Sequence, residues 1–231
     1  MDKQTYYRDE KVVTDYDDWR FGSAGGCYVD AVEKSTLIGM LGAPSDGKVL
    51  DMPCGTGRLL SALSQAGFKT IEGADSSPNM LKLAATRAPG CPVQEQNAFN
   101  TSYADGSFDR VCCLRFLFHV EDPAMLFREV ARILKPGGLL VFDSLRWTPR
   151  NRIPLLNCKL GGKLYPYTEA QLTPLLSTHG FDLIAARRIL LFPSQAYRYV
   201  PSWAVGLAQT IEDLLPSALR SKVVVLAKKR S

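Results

Sequence analysis

Apolar and polar positions follow two different periods along residues 47–143 of the chain. Short apolar runs predict buried strands, and segments whose apolar residues recur every three or four positions predict helices between them. The predicted strands cover residues 48–51, 70–74, 92–94, 108–116 and 139–142, and the predicted helices cover residues 58–66, 78–87 and 123–134. Strands separated by helices of this length form parallel βαβ units, so the pattern predicts an α/β fold with a doubly wound sheet.

Local signals fix some of these boundaries. Ser77 can cap the helix that begins at Pro78. The run Lys135-Pro136-Gly137-Gly138 ends the helix predicted at 123–134. After residue 143 the regular alternation of predicted strands and helices stops. Residues 144–167 are irregular and residues 192–203 fit neither period, while helices are predicted at 168–179 and 203–215 and strands at 181–189 and 222–227.

Composition and charge narrow the class of protein. A hydrophobic content of 46% and a charged content of 22% are typical of a soluble globular protein, and no apolar run has membrane-spanning length. We therefore expect a cytoplasmic protein. Residues 1–143 carry 15 Lys and Arg against 19 Asp and Glu, whereas residues 144–231 carry 13 against 4, a balance of +9. This asymmetry indicates either a solvated basic face or a cationic rim that attracts an anionic substrate or a membrane surface.

The cysteines and histidines do not indicate a metal site. The six cysteines (Cys27, Cys54, Cys91, Cys112, Cys113 and Cys158) include no CxxC pair. His119 and His179 are the only histidines of the sequence and neither stands at ligand spacing. We predict no bound metal and read all six cysteines as reduced thiols.

The stretch VLDMPCGTGRLL, residues 49–60, is the strongest candidate for chemistry. A buried strand ends at Asp51, and Gly55 and Gly57 then allow close approach of a ligand to the backbone. Ligands of doubly wound sheets bind at the carboxyl ends of the strands. A dinucleotide would require a third glycine where Leu60 stands, and the Asp51 carboxylate would repel its pyrophosphate. S-adenosylmethionine, which carries a sulfonium and an ammonium group, suits an acidic corner better.

Five motifs in order resemble those of the class I S-adenosylmethionine-dependent methyltransferases, most closely the type 11 branch that includes quinone-biosynthesis enzymes. They are residues 51–57 (DMPCGTG), 71–80 (IEGADSSPNM), 97–99 (NAF), 108–111 (FDRV) leading to 118–120 (FHV), and 129–138 (EVARILKPGG). The resemblance implies a Rossmann-like, mostly parallel seven-stranded sheet in the order 3-2-1-4-5-7-6, with the last strand antiparallel. It also implies one domain over residues 1–231. That domain would comprise an N-terminal helical lid and first helix (1–45), a cofactor-binding core (46–143) and a substrate cap with the final strands (144–231).

The resemblance assigns residues to the cofactor. Asp51 would face its amino acid end, Asp75 its ribose hydroxyls, Met80 and Phe99 its adenine ring, and the Leu114 carbonyl its ammonium group. The full predicted set is Asp51, Pro53, Gly55, Thr56, Gly57, Asp75, Ser76, Met80, Asn97, Ala98, Phe99, Leu114 and Arg115. Two positions depart from the family pattern. Pro53 replaces the first glycine of the corner, and Asn97 replaces the acid that usually receives the adenine amino group.

The candidates for catalysis and for the methyl acceptor are fewer. His119 is the candidate general base, and Arg115 could bind the cofactor carboxylate or an acidic substrate group, since a buried cation requires an anion. For the acceptor we name Tyr16, Arg20, Trp147, Tyr197 and Arg198, which bring aromatic rings alongside arginines. The aromatic N-terminal segment is either a lid over the site or a helix packed on the domain edge.

The sequence therefore predicts a methyltransferase that acts on oxygen or carbon of a small, apolar or aromatic acceptor, which could carry an acidic group. The alternatives are a nicotinamide-dependent oxidoreductase and a cofactor-binding regulatory protein without turnover. Nucleic acid is disfavoured because the N/D-P-P-Y/F tetrad of base methylation is replaced by Cys113-Leu114-Arg115-Phe116. Contact with a membrane surface stays open, and the chain is expected to be a monomer or a homodimer.

Overall fold

A computed structural model describes residues 10–149 and 163–231. Two helices, α1 (Glu10–Phe21) and α2 (Ala24–Leu41), precede the sheet. The alternating core follows as β1 (Val49–Asp51), α3 (Arg58–Gln65), β2 (Ile71–Asp75), α4 (Pro78–Arg87), β3 (Val93–Glu95), β4 (Phe108–Cys113), α5 (Ala124–Ile133) and β5 (Leu134–Leu145). The chain continues with α6 (Glu169–Thr178), β6 (Phe181–Ile189), α7 (Ser202–Leu214) and β7 (Lys222–Lys229), and 3₁₀ turns lie at Leu117–His119, Ala196–Tyr199 and Ser217–Leu219.

The seven strands form one sheet in the order β3-β2-β1-β4-β5-β7-β6. Strands β1 to β5 are parallel, and β7 lies antiparallel between β5 and β6. The predicted fold class, strand order and reversed last strand are confirmed. In the central register Asp51 is opposite Gly73 of β2 and Cys112 of β4. The carboxyl ends of β1, β2 and β4 therefore meet at one edge of the sheet.

Alternate strand residues pack into two layers. One layer joins Val49 and Val141 to buried residues of α2 and α3, and the other joins Leu50 and Phe142 to buried residues of α5 and α6. Because neighbouring residues of a strand point to opposite faces, this alternation covers both sides of the sheet with helices, as a doubly wound fold requires. The predicted Ser77 cap is also observed, since the Ser77 hydroxyl accepts the N–H of Met80 at 3.3 Å.

Two predicted strands differ from the observed ones by several residues, and the other bounds agree to within two residues. Strand β4 ends at Cys113 rather than at residue 116, because the backbone turns at Arg115, whose φ is +61°. Strand β5 is longer than the predicted 139–142. It starts at Leu134, opposite Phe108, and shifts its register near Gly137, whose φ is +74°. Its extension to Leu145 pairs with β7.

Within the two described stretches, no helix is both long enough and apolar enough to cross a membrane. The predicted cap segment 144–167 falls partly on residues 150–162, which lie outside the described residues, as do Cys158 and the first nine residues of the predicted lid.

Candidate functional site

The corner after β1 is built around Asp75 at the end of β2. Oδ2 of Asp75 accepts the N–H of Gly55, and Oδ1 accepts the N–H of Ser77, each at 2.9 Å. Burial raises the pKa of Asp75, and the hydrogen bonds from Ser77, Gly55 and Ser76 partly oppose this rise. The peptide bond between Met52 and Pro53 is cis. Asp75 thus fixes the glycine corner and keeps its carboxyl group at the edge of the sheet.

The two glycines of the corner serve different purposes. Gly55 has a φ of +53°, and a Cβ added there would meet no protein atom within 4 Å, so the open space beside Gly55 is available to a ligand. A Cβ on Gly57, whose φ is +77°, would lie 2.7 Å from the Cα of Ala84 in α4. Gly57 therefore permits close packing of α3 on α4, and of the two glycines predicted to allow close approach of a ligand, Gly55 is the one with open space beside it.

A cavity of about 710 Å³ opens at this edge of the sheet. It brings together nearly all of the predicted cofactor residues, namely Asp51, Pro53, Gly55, Thr56, Asp75, Ser76, Met80, Asn97, Ala98, Phe99, Leu114 and Arg115. The candidate base His119 and the predicted lid residue Tyr16 line it as well. Gly57 is absent from this wall because it faces α4. The described residues contain no group of three His, Cys, Asp or Glu side chains that could hold a metal ion.

Asp51 is the most unusual group in the wall. It is 1% exposed, and neither of its carboxylate oxygens has a hydrogen-bond partner among the described residues. Burial, and then the nearby Asp75 carboxylate, raise the pKa of Asp51 well above its usual range. A buried acceptor without a donor costs free energy, so this carboxylate is suited to a donor that a ligand supplies.

Arg115 has an anionic partner, but that partner belongs to the protein. Its Nη1 donates to Oε1 and Oε2 of Glu33 at 2.9 and 3.0 Å, and its backbone N–H donates to Oδ1 of Asp143 at 2.6 Å. Lys222 forms ion pairs with both carboxylates. These four residues, Glu33, Arg115, Asp143 and Lys222, form a buried charge cluster. The expected anion of a cofactor or substrate is thus replaced by Glu33 of α2.

The adenine-side residues show one further change from expectation. Oδ1 of Asn97 accepts the N–H of Phe99 at 3.0 Å, so one lone pair of the predicted adenine acceptor is already used. The ring of Phe99 lies beside Phe116, with centroids 5.7 Å apart. Met80 is 4% exposed and still lines the cavity, so it serves both as core and as wall.

Four of the five residues predicted to contact the acceptor lie outside the cavity wall, and only Tyr16 lines it. Arg20 stacks over the rings of Tyr16 and Trp19. The indole of Trp147 donates to the carbonyl of Leu219 at 3.4 Å.

Tyr197 and Arg198 lie apart from the wall as well. Tyr197 is 2% exposed in the core and donates its hydroxyl to Glu212 of α7. Arg198 lies over the ring of Trp19 on the surface. Tyr197 is held away from the cavity because its ring packs on Tyr28 of α2.

Helix α1 is attached to the glycine corner by Asp17, which the sequence reasoning missed. Thr56 Oγ1 donates to Oδ1 of Asp17 at 3.0 Å, and Arg87 Nη1 reaches Oδ2 of Asp17 at 2.6 Å. Arg58 adds a longer ion pair to the same carboxylate and stacks on Phe21. No local sequence signal identifies Asp17, since its partners are 39 to 70 residues away. Helix α1 therefore lies at the cavity, with Tyr16 in its wall.

Several wall residues that sequence reasoning missed follow β4 or lie beside β3. They are Gln96, Phe116, Val120, Glu121, Asp122 and Met125. Others are Met52, Cys54, Arg58, Leu59 and Ala74, around the glycine corner and at the end of β2. Oδ1 of Asp122 accepts the N–H of Ala124, the first residue of α5, at 3.0 Å, and Oε2 of Glu121 accepts the hydroxyl of Tyr165 at 3.2 Å.

Comparison with known proteins supports the motif-based resemblance. Residues 50–142 match the family model described as a methyltransferase domain. The chain is 32% identical over 138 residues to the methyltransferase GfsG of Streptomyces halstedii, covering 56% of this chain and 50% of that protein. It is 35% identical over 107 residues to a ubiquinone biosynthesis O-methyltransferase of Xanthomonas oryzae pv. oryzae, covering 44% of each. The chain thus spans about half the length of the curated relatives it matches.

Solved structures share the fold at low sequence identity. A SAM-dependent methyltransferase from Thermotoga maritima matches with a TM-score of 0.68 and 20% identity, covering 97% of this chain and 99% of that one. The geranyl diphosphate C-methyltransferase of Streptomyces coelicolor A3(2) matches with a TM-score of 0.64 and 19% identity, covering 86% and 79%. The resemblance inferred from the motifs is confirmed over residues 50–142, and these structures extend the likeness of fold over most of the chain.

Proposed function

Because residues 50–142 match the methyltransferase-domain family, we propose that this chain transfers a methyl group from S-adenosylmethionine to oxygen or carbon of a small organic acceptor, leaving S-adenosylhomocysteine. The observation that carries the proposal is the buried Asp51 carboxylate, which lines the cavity without a donor of its own. A ligand with an ammonium group satisfies this acceptor, whereas a pyrophosphate would add a second negative charge beside it.

The other cofactor contacts follow from the wall. Asp75 has carboxylate lone-pair capacity beyond its bonds to Gly55, Ser76 and Ser77, and this capacity suits ribose hydroxyls. Met80 and Phe99 supply apolar surface for a planar ring, and Gly55 leaves room for the ligand. The backbone N–H of Arg115 points to Asp143, so the carbonyl of Leu114 on the same trans peptide points the opposite way. That carbonyl is a second acceptor for the ammonium group.

The acceptor end of the cavity has an apolar wall and one candidate base. Phe116, Val120 and Met125 suit an apolar or aromatic body. The bound cofactor supplies a methyl group on a sulfonium, which is already a good leaving group. The chain's own task is to position the nucleophile, and His119 is the wall residue that can take the proton of a hydroxyl or of an activated carbon.

Contact with a membrane surface stays a prediction. The observation that favours it is the exposed apolar side of α7, where Trp203 and Leu214 are each 80% exposed and Leu207 is 56% exposed. Aromatic and aliphatic side chains on one helix face suit a lipid interface. Sedimentation with vesicles would test this contact.

Substituting Asp51 with asparagine separates the cofactor role of this residue from its structural role. Neither oxygen of Asp51 has a hydrogen-bond partner in the part of the chain that the structure describes, so Asp51→Asn should leave the free energy of unfolding unchanged or raise it. The same change should weaken S-adenosylhomocysteine binding by roughly 10- to 100-fold, because a charge-assisted hydrogen bond contributes about 1.5–3 kcal/mol. Isothermal titration with S-adenosylhomocysteine and with NAD, together with urea unfolding, measures both effects.

The matched control is Asp46→Asn, which removes the same charge from an exposed position in the loop before β1, at the other edge of the sheet. Binding of NAD in preference to S-adenosylhomocysteine would point to the oxidoreductase. Equal affinity of Asp51→Asn and the unsubstituted protein would refute the assigned role. Tight binding with no methyl transfer to any of a panel of phenols, quinols and amines would favour a regulatory protein.

A further inference from the structure

The cavity continues beyond the cofactor corner into a second compartment after β4. Its wall there comprises Phe116, His119, Val120, Glu121, Asp122 and Met125. Glu121 and Asp122 are exposed at the rim, and the apolar members lie alongside them. If the cofactor occupies the corner, as proposed above, this compartment receives the methyl acceptor. Its charge therefore decides which acceptors are attracted.

Both arginines that line the cavity among the described residues are paired with carboxylates outside its wall. Arg115 is paired with Glu33 in the buried charge cluster, where two carboxylates balance two cations. Arg58 is paired with Asp30, which also binds Lys34, and lies 3.7 Å from Asp17, which also binds Arg87, so its charge is only partly compensated. Arg58 directly follows the glycine corner, where the cofactor is proposed to bind, whereas Arg115, which follows β4 towards the acceptor end, offers no free positive charge to an anionic acceptor.

The acids of the wall are not balanced in this way. Asp51, Asp75, Glu121 and Asp122 form no ion pair with any described residue, and their partners are backbone N–H groups or the Tyr165 hydroxyl. Asp51 and Asp75 lie at the cofactor corner, and the other two acids lie at the acceptor end. The uncompensated charge of the second compartment is therefore negative.

Two cations of the basic segment 144–231 are engaged elsewhere. Arg146 is paired with Glu169 and donates to the carbonyls of Ala218 and Arg220. Arg198 lies over Trp19. Neither lines the cavity, so the basic balance of residues 144–231 does not reach the acceptor compartment through them.

From this distribution of charge we propose that the acceptor is an apolar or aromatic molecule that carries a basic nitrogen, and that its protonated nitrogen is attracted by Glu121 and Asp122. An acceptor with a carboxylate or a phosphate at that position is repelled. This inference rests on the proposed methyltransferase function and refines it, because it names the charge class of the acceptor.

Three phenols whose para chains carry an ammonium group, no charge or a carboxylate test the proposal. They are tyramine, 4-ethylphenol and 3-(4-hydroxyphenyl)propionate, titrated into protein saturated with S-adenosylhomocysteine. Tyramine should bind roughly three- to tenfold more tightly than the propionate at low salt, the range expected for partly exposed charges, and the ratio should fall as salt is added. Glu121→Gln should reduce the ratio, because glutamine still accepts from Tyr165 but carries no charge. Asp46→Asn should leave it unchanged.

A second measurement does not depend on the shape of the probe. A cationic and an anionic nitroxide, 4-amino-TEMPO and 4-carboxy-TEMPO, should broaden the amide resonances of residues 120–125 unequally. The cationic nitroxide should cause the greater broadening. Equal or reversed broadening, or a propionate that binds as tightly as tyramine, overturns the inference even when S-adenosylhomocysteine binds. Failure of S-adenosylhomocysteine to bind instead overturns the proposed function, so the two failures are distinguishable.

Discussion

Replacing Glu33 with glutamine should destabilise the protein by about 3–5 kcal/mol, the cost of removing one partner of a buried ion pair. Glu33 is completely buried, accepts two hydrogen bonds from Arg115 and pairs with Lys222. With Asp143 the cluster holds two carboxylates and two cations, so the substitution leaves one buried positive charge without compensation. For a domain of this size each kcal/mol lowers the midpoint of thermal unfolding by about 2–4 °C, which gives a fall of roughly 6–20 °C.

Urea unfolding followed by circular dichroism at neutral pH measures the loss, and Glu95→Gln, at an exposed position ending β3, is the control. The double variant Glu33→Gln with Lys222→Met restores equal numbers of charges and should recover part of the lost free energy. A loss below about 1 kcal/mol for Glu33→Gln, or simple addition of two losses in the double variant, would show that the cluster does not act as a balanced unit.

The same variant has a predictable dependence on pH. Burial by itself raises the pKa of Glu33, and the charges of Arg115 and Lys222 outweigh burial, so the pKa in the folded protein lies below that of an ordinary glutamate. A carboxyl group whose pKa is lowered by folding contributes stability above its unfolded pKa and loses it as the pH falls through the folded value. The difference in unfolding free energy between the unsubstituted protein and Glu33→Gln should therefore narrow on acidification.

Two further substitutions test the corner and the N-terminal helix. Gly57→Ala should destabilise the protein by about 1–3 kcal/mol in urea unfolding, because a Cβ at φ +77° would lie 2.7 Å from the Ala84 Cα. The control is Gly39→Ala in helix α2, where a Cβ meets nothing within 4 Å, and this change should stabilise the protein slightly. Equal effects at the two glycines would refute the packing role of Gly57. Asp17→Ala removes the bonds from Thr56 and Arg87 that hold α1 at the cavity. Proteolysis within residues 10–21 should therefore become several-fold faster. An unchanged rate of cleavage would show that other contacts hold the helix.

Local signals predicted much of the fold and of the cofactor corner. The strand ending at Asp51, the turn through Gly55 and the Ser77 cap each depend on residues close together in the chain, so the sequence pattern reveals them. The 129–138 motif is likewise formed by residues close together in the chain, and the structure gives its physical basis. Glu129 accepts the N–H and hydroxyl of Thr101 at 2.8 and 2.5 Å, and Arg132 bonds to Glu129, so the motif ties a loop to α5.

Contacts between distant segments could not be predicted in this way. Arg115 was expected to need an anion, but identifying Glu33 requires knowing that α2 packs against β5 and β7. The turn at Arg115 was also hidden, because apolar residues continue past it to Phe116 and the positive φ is accompanied by the bond to Asp143 rather than marked by a glycine. Tyr197 stands in a segment of mixed aromatic and basic residues that suggests a surface, yet Glu212 of α7 accepts its hydroxyl in the core.

The place of β7 between β5 and β6 has a consequence for synthesis on the ribosome. Until residues 222–229 emerge from the exit tunnel, β5 lacks its outer neighbour and the β6 segment cannot join the sheet, since β7 is the partner of β6 among the described strands. Lys222, the first residue of β7, lies opposite Leu145 at the end of β5, so the nascent chain carries Glu33 and Asp143 without this counter-charge until residue 222 has been synthesised. The charge cluster therefore cannot be completed before the segment that forms β7 is available.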